Sequence, residues 1–163
     1  MNHLVRPYGG LLCELMVSAE KRKKLQVESI KYPSLTLNDR QLCDVEMLLN
    51  GGFSPLKGFL GYTDYISVVS ENRLSNNSVW PIPITLDVSE EFSANLSVGD
   101  KIVLRDQEGI ALGILKISDK WIPDRKEEAE KVYGSSDILH PAVNYLLHQS
   151  GKEYLGGEIE GLE

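Results

Sequence analysis

The 163-residue chain is short of cysteine, histidine and positive charge, and each shortage removes a class of function. Its two cysteines, Cys13 and Cys43, lie far apart with no CxxC spacing. A disulfide framework or a cysteine-rich zinc site needs more of them. Each sits among leucines (Leu11-Leu12-Cys13-Glu14-Leu15 and Gln41-Leu42-Cys43-Asp44-Val45), so both read as buried, reduced thiols. The three histidines, His3, His140 and His148, form no HxxxH pair and have no cysteine nearby, which leaves no zinc ligand set. His140 precedes Pro141 and reads as the residue entering a helix; His148 reads as lying on that helix's polar side. Lys and Arg number 17 against 24 Asp and Glu, a formal net charge of -7. Phosphate recognition runs on clustered basic residues, so this balance speaks against a nucleic-acid protein. It favours part of a small-molecule enzyme or a protein-interaction module.

Other absences narrow the chemistry further. No GxSxG is present, which excludes a nucleophile elbow. Neither GxxxxGK[ST] nor GxGxxG occurs; the stretch Gly51-Gly52-Phe53-Ser54-Pro55-Leu56-Lys57-Gly58 follows a helical pattern and is interrupted by proline. The pairs Gly9-Gly10 and Gly156-Gly157 read as turns, and the adjacent carboxylates Glu90-Glu91 and Glu127-Glu128 as diverging, solvated side chains. No apolar run reaches membrane-spanning length, and the N-terminal residues lack the charged and apolar regions of a signal peptide, so a cytoplasmic protein without a membrane partner is expected. The residues therefore nominate no catalytic, cofactor-binding or metal-binding position.

What is there suits one folded domain over residues 1–163, at 42% hydrophobic and 25% charged. Lys21-Arg22-Lys23-Lys24 lies on a short helix or turn and reads as a solvated face. A short strand, Leu35-Thr36-Leu37, runs into a helix start: Asn38 caps, Gln41 stands three residues on, and Leu42, Val45, Leu48 and Leu49 recur at helical spacing. Asn50-Gly51-Gly52 stops that helix. The connection Phe53 to Gly61 is rich in Phe and Gly, and such a loop packs inward. Thr63 to Glu71 reads as a second helix capped by Thr63, with Tyr65, Ile66 and Val69 as its apolar stripe. Val79 to Val88 is a β-branched run with two prolines, hence an edge or bulged strand. Lys101 to Arg105 and Ile110 to Ile117, joined by Asp106-Gln107-Glu108-Gly109, predict a hairpin, and Gly113 marks a bulge or a sharp barrel corner. Asp124, with Glu127 three residues on, opens a helix that ends near Tyr133-Gly134. Pro141 opens the last one, which runs through Leu147 to Ser150-Gly151. Residues 152–163 read as the start of a further strand or of a linker.

Four segments together resemble the ATP sulfurylase (sulfate adenylyltransferase) family. They are Pro7-Tyr8-Gly9-Gly10-Leu11, with Tyr8 where that family usually has His; Arg40 to Glu46 running into Leu49 to Phe59; Trp80-Pro81-Ile82-Pro83-Ile84-Thr85-Leu86; and His140-Pro141-Ala142-Val143 followed by Tyr154 to Ile159. They occur in the family's order across nearly the whole chain. The resemblance implies an α+β fold, a PUA-like, partly open β-barrel with flanking short helices. It implies the non-catalytic N-terminal domain of an enzyme that makes adenylyl sulfate and pyrophosphate from ATP and sulfate. The cofactors of that parent, ATP and Mg²⁺, would bind a following catalytic domain marked by Q-x-R-N-P-x-H-R and H-N-P, neither of which occurs in this chain. The expected partners are that domain and, in an oligomer, further copies of the chain. The rival reading, since PUA-like barrels often bind RNA, is a stand-alone RNA-binding or protein-interaction module.

With a net charge of -7 and no basic stripe, the chain should bind RNA and DNA only weakly. A submicromolar, salt-sensitive Kd in a filter-binding titration would contradict this.

Overall fold

The computed structural model describes residues 5–163, and His3 lies outside them. Two compact units share the chain: Met1–Phe59 with Gly99–Ile117 and Gly157–Glu163, and Leu60–Val98 with Ser118–Gly156. Strands β5 (Ala111–Trp121) and β6 (Glu153–Gly161) run from one unit into the other.

In the first unit, α1 (Ala19–Ser29) is opened by Ser18, whose Oγ accepts the Lys21 N–H. The Lys21–Lys24 run lies on it, with Lys21, Lys23 and Lys24 exposed, as a solvated face should be. Strand β1 (Ser34–Thr36) leads into α2 (Asp39–Leu49). The anticipated capping box is present: the Gln41 N–H donates to Asn38 Oδ1 at 2.9 Å, and the Asn38 N–H to Gln41 Oε1 at 3.1 Å. Helix α2 buries Val45, Leu48 and Leu49, while Leu42 is only half-buried. Gly51 follows at φ +79°, and the chain turns into a packed connection and β2 (Gly58–Phe59). Phe59 is 3% exposed and Phe53 half-buried, so the Phe-rich loop does pack inward.

Strand β4 (Lys101–Arg105) pairs parallel with β1 and antiparallel with β5. The β4–β5 hairpin turns on Asp106, whose Oδ1 accepts the Glu108 and Ile110 N–H groups at 3.0 and 2.7 Å, with Gly109 at φ +90°. Leu104 pairs with Gly113 and Arg105 with Ala111, so Leu112 is the extra residue of a β-bulge. Its carbonyl accepts the Leu162 and Glu163 N–H groups just after β6. The strand order is β1-β4-β5-β6-β2; the two end strands, β1 and β2, do not pair, and the sheet stays open. Leu37, Val45, Ile102, Leu104, Leu115 and Leu162 form its core.

In the second unit, α3 (Tyr62–Glu71) is capped at Gly61 without a side-chain bond, so Thr63 is not the cap. Asp119 fills the space beside Gly61, where a Cβ would lie 2.6 Å from Oδ2. The buried stripe is Tyr65, Val68 and Val69; Ile66, expected within it, is 41% exposed. The anticipated strand from Val79 shrinks to β3 (Leu86–Val88) and one isolated bridge, Arg73 to Val79, because Pro81 and Pro83 withdraw ladder donors. A single-turn helix, α4 (Glu90–Ser93), follows. Strand β5 continues beyond the anticipated Ile117 to Trp121. Helix α5 (Arg125–Tyr133) starts on Asp124, whose Oδ1 accepts the Glu127 N–H at 3.0 Å, and ends on Gly134 at φ +70°. Helix α6 (Pro141–Asn144) has Pro141 in its first turn and passes into a π-helical turn, Tyr145–Gln149, that sequence periodicity did not suggest. Helix α5 packs on α3, on α6 and on this π turn.

Of the two readings of residues 152–163 the strand is the one found, over Glu153–Gly161, and Gly156-Gly157 is not a turn. This strand, β6, pairs with β2 in the first unit and with β3 in the second. Gly156-Gly157 sits in mid-strand because backbone crosses it closely: a Cβ on Gly157 would overlap the Lys116 carbonyl, and one on Gly156 the Leu60 carbonyl. Among the described residues no helix is long and apolar enough to cross a membrane.

Gly157→Ala should therefore cost at least about 2 kcal/mol, since backbone rather than a flexible side chain must yield. Urea denaturation of the two proteins measures it, and an unchanged midpoint would contradict the close crossing.

Candidate functional site

The densest polar cluster lies in the second unit and centres on Glu128, one of the carboxylates expected to be solvated. It is 4% exposed. Helix α5 is amphipathic in an unusual way: Ala129 and Glu128 are its buried residues, while Glu127 pairs outside with Lys131 at 2.7 Å. Adjacent residues on a helix do diverge, but here one of the pair diverges inward. Tyr65 of α3 donates its hydroxyl to Glu128 Oε2 at 2.8 Å, and Tyr154 of β6 donates to the same oxygen at 3.1 Å. Both tyrosines are buried, at 3% and 1% exposure. Their rings meet edge to face with centroids 5.7 Å apart, and Trp121 at the end of β5 closes the set at 5.3 Å from Tyr65 and 5.8 Å from Tyr154. Tyr62 lies against the outer side of Trp121 at 5.6 Å.

Electrostatics keep both phenols of this cluster protonated. Burial, then the Glu128 charge and hydrogen bond, push the Tyr65 hydroxyl far above the ordinary phenol range. The same causes raise Tyr154, with Arg125 opposing weakly. Both phenols remain donors throughout the physiological range. Such groups position; a proton-transfer group needs its pKa near the working pH.

Two further anchors hold the second unit. Asp87 of β3, 5% exposed, accepts the Gly151 N–H at 2.6 Å and pins the turn before β6. Lys120 Nζ donates to the carbonyls of Ser93 and Leu96 at 2.5 and 3.2 Å, satisfying the end of α4, and stands 3.5 Å from Glu153.

Each unit also carries an open groove. That of the first, about 460 Å³, is lined by Lys21, Lys24, Leu25, Glu28, Lys101 and Glu160, among others, with Lys21 and Glu160 in an ion pair. That of the second, about 350 Å³, is lined by Glu90, Ile122, Pro123, Arg125, Lys152 and Glu153. There Lys152 bonds Glu90 at 2.8 Å; that bond lowers the Glu90 pKa and raises that of Lys152. Charges of both signs face both grooves, so neither offers a field of one sign.

The residues weighed in the sequence fall as follows. His140 is the exposed residue before α6, its ring 5.4 Å from that of Tyr133, and His148 is exposed on the π turn. Cys13 is half-buried, its thiol donating to the Pro55 carbonyl at 3.5 Å. Cys43 is exposed, contrary to the expectation of burial, because it falls on the outer side of α2. Glu90 and Glu91 are exposed, as expected. Gly58 belongs to β2 rather than to a phosphate loop. Among the described residues no three His, Cys, Asp or Glu come together to hold a metal ion.

Comparison with known proteins adds a second line of evidence. A family described as "PUA-like domain" matches residues 5–163. A sulfate adenylyltransferase of Eremothecium gossypii is 47% identical over 98% of this chain and 32% of its own length; one of Candida albicans is 50% identical over 96% and 31%. The chain thus spans about a third of the length of these curated relatives. A solved structure titled "Hexameric APS kinase from Thiobacillus denitrificans" superposes with a TM-score of 0.75 at 34% identity, over 98% of this chain and 27% of that one.

Both tyrosines gain protons relative to the unfolded chain above the ordinary phenol pKa of about 10, so the stability they add is complete below that pH and lost as pH rises. Above pH 10 the unfolding free energy should fall by about 2.7 kcal/mol per pH unit, one proton's worth from each. Tyr65→Phe and Tyr154→Phe should each halve the slope. Urea titrations between pH 9 and 11.5 read it, and equal slopes in all three proteins would refute the shared carboxylate.

Proposed function

The chain belongs to the PUA-like domain family, and from that premise we propose that it is the non-catalytic, bracing part of a sulfate adenylyltransferase. The carrying observation is identity of 47% and 50% across nearly the whole chain to proteins of that name, of which it covers only about a third. The parent reaction joins sulfate to the α-phosphorus of ATP and releases pyrophosphate. That chemistry needs cationic donors around a developing anionic centre. The chain's own charges argue for a different share of the work. Lys21, Lys120, Lys131 and Lys152 are engaged with its own carboxylates, and the net charge is -7. ATP, Mg²⁺ and sulfate then belong to the part of the enzyme that the chain does not span. This chain supplies a cytoplasmic platform for it.

The test compares the chain alone with a chimaera carrying it in place of the matching third of the Candida albicans enzyme. The isolated chain should catalyse no sulfate-dependent ATP–pyrophosphate exchange, and the chimaera should. Turnover by the isolated chain, or a folded but inactive chimaera, would overturn the proposal.

A further inference from the structure

Between α5 and α6 the chain makes a tight turn that displays apolar side chains to solvent. Ile138 is 51% exposed and Leu139 86%. The turn is not loose. Asp137 Oδ1 accepts the Leu139 N–H at 2.9 Å, and the Asp137 carbonyl accepts the His140 N–H at 3.0 Å. Ser135 Oγ accepts the Asp137 N–H at 3.0 Å, and Asn144 Nδ2 donates to the Ile138 carbonyl at 3.3 Å. The Tyr133 and His140 rings pack at the two ends, 5.4 Å apart. Beneath it, α6 and the π turn are anchored by Val143 and Leu146, which are buried. The backbone is thus ordered by polar contacts, while Ile138 is left half in solvent and Leu139 almost wholly so. What sets Leu139 apart is the hydrogen-bonded turn that carries it, and an exposed apolar knob on an ordered base suits a docking contact.

We infer that Ile138 and Leu139 form a docking knob for the portion of a sulfate adenylyltransferase that this chain does not span. The inference rests on the proposed function above. The relatives carry roughly two-thirds of their length beyond the match, and domains of one chain commonly share an interface. The matching site on the remaining part would be an apolar recess.

The chimaera tests this. Hydroxyl-radical footprinting of Ile138 and Leu139 should show several-fold slower oxidation in the chimaera than in the isolated chain. Leu139→Asp should lower the chimaera's Tm by roughly 4 °C or more. In the isolated chain, where the side chain touches solvent, the shift should stay within about 1 °C. Leu139→Met, which keeps an apolar knob, should change neither. An active chimaera whose two side chains oxidise as fast as in the isolated chain, or equal Leu139→Asp shifts in both proteins, overturns the docking site and leaves the function standing. An inactive chimaera overturns the function, and the docking site with it.

Discussion

A carboxyl group buried among aromatic rings costs several kcal/mol unless its oxygens find donors, and the second unit is organised around meeting that demand at Glu128. The two donors come from different elements: Tyr65 from α3 and Tyr154 from β6, both on one oxygen of a side chain carried by α5. Removing Glu128 takes the acceptor from two buried hydroxyls at once, so the three elements are coupled more tightly than apolar packing alone would couple them. The same low-dielectric surroundings that make the contact strong lift both phenol pKa values. A catalytic base needs a proton it can exchange. Here the protons are held more firmly than in water, which is what a structural joint requires.

Strand β6 links this joint to the rest of the sheet through an alternation of large and absent side chains. Tyr154 and Leu155 fill the core of the second unit, and Ile159 and Leu162 that of the first. Between them Gly156 and Gly157 let neighbouring backbone approach to distances that any Cβ would forbid. The bulge at Leu112 serves the same strand, since its displaced carbonyl accepts the two N–H groups that follow β6. A bulge, a glycine pair and a buried tyrosine are thus parts of one arrangement.

Much of this was legible from local chemistry. The Asn38 and Asp124 caps, the Asp106–Gly109 hairpin, the bulge near Gly113 and the inward loop at Phe59 depend on residues within a few positions of each other. Two of the misses, at Gly156-Gly157 and at Glu128, depend on a distant partner. Strand β6 is one of the two readings of its segment, but Gly156-Gly157 imitates a turn because the backbone that crosses it comes from Leu60 and Lys116. Glu128 looks like its solvated neighbour Glu127 until Tyr65 and Tyr154 arrive from elsewhere in the chain. The one available signal was weak: the helix it sits on has no apolar stripe to bury, yet lies between apolar segments. Cys43 was misjudged in the opposite sense, because leucines beside it in sequence point to the other side of α2.

The distribution of charge carries the functional argument one step further. Enzymes that handle sulfate and ATP concentrate positive potential where the anions bind. Four lysines of this chain are answered near at hand: Lys21 by Glu160, Lys120 by Glu153 and two carbonyls, Lys131 by Glu127, Lys152 by Glu90. An incoming anion would have to displace a carboxylate from each of these four lysines and would meet the net charge of -7 as well. What the turn between α5 and α6 does offer outward is an apolar side chain, Leu139, on a hydrogen-bonded backbone. A fixed apolar projection gains nothing from water and gains from a complementary recess, so the free-energy gradient on this surface points toward another protein body rather than toward a small anion.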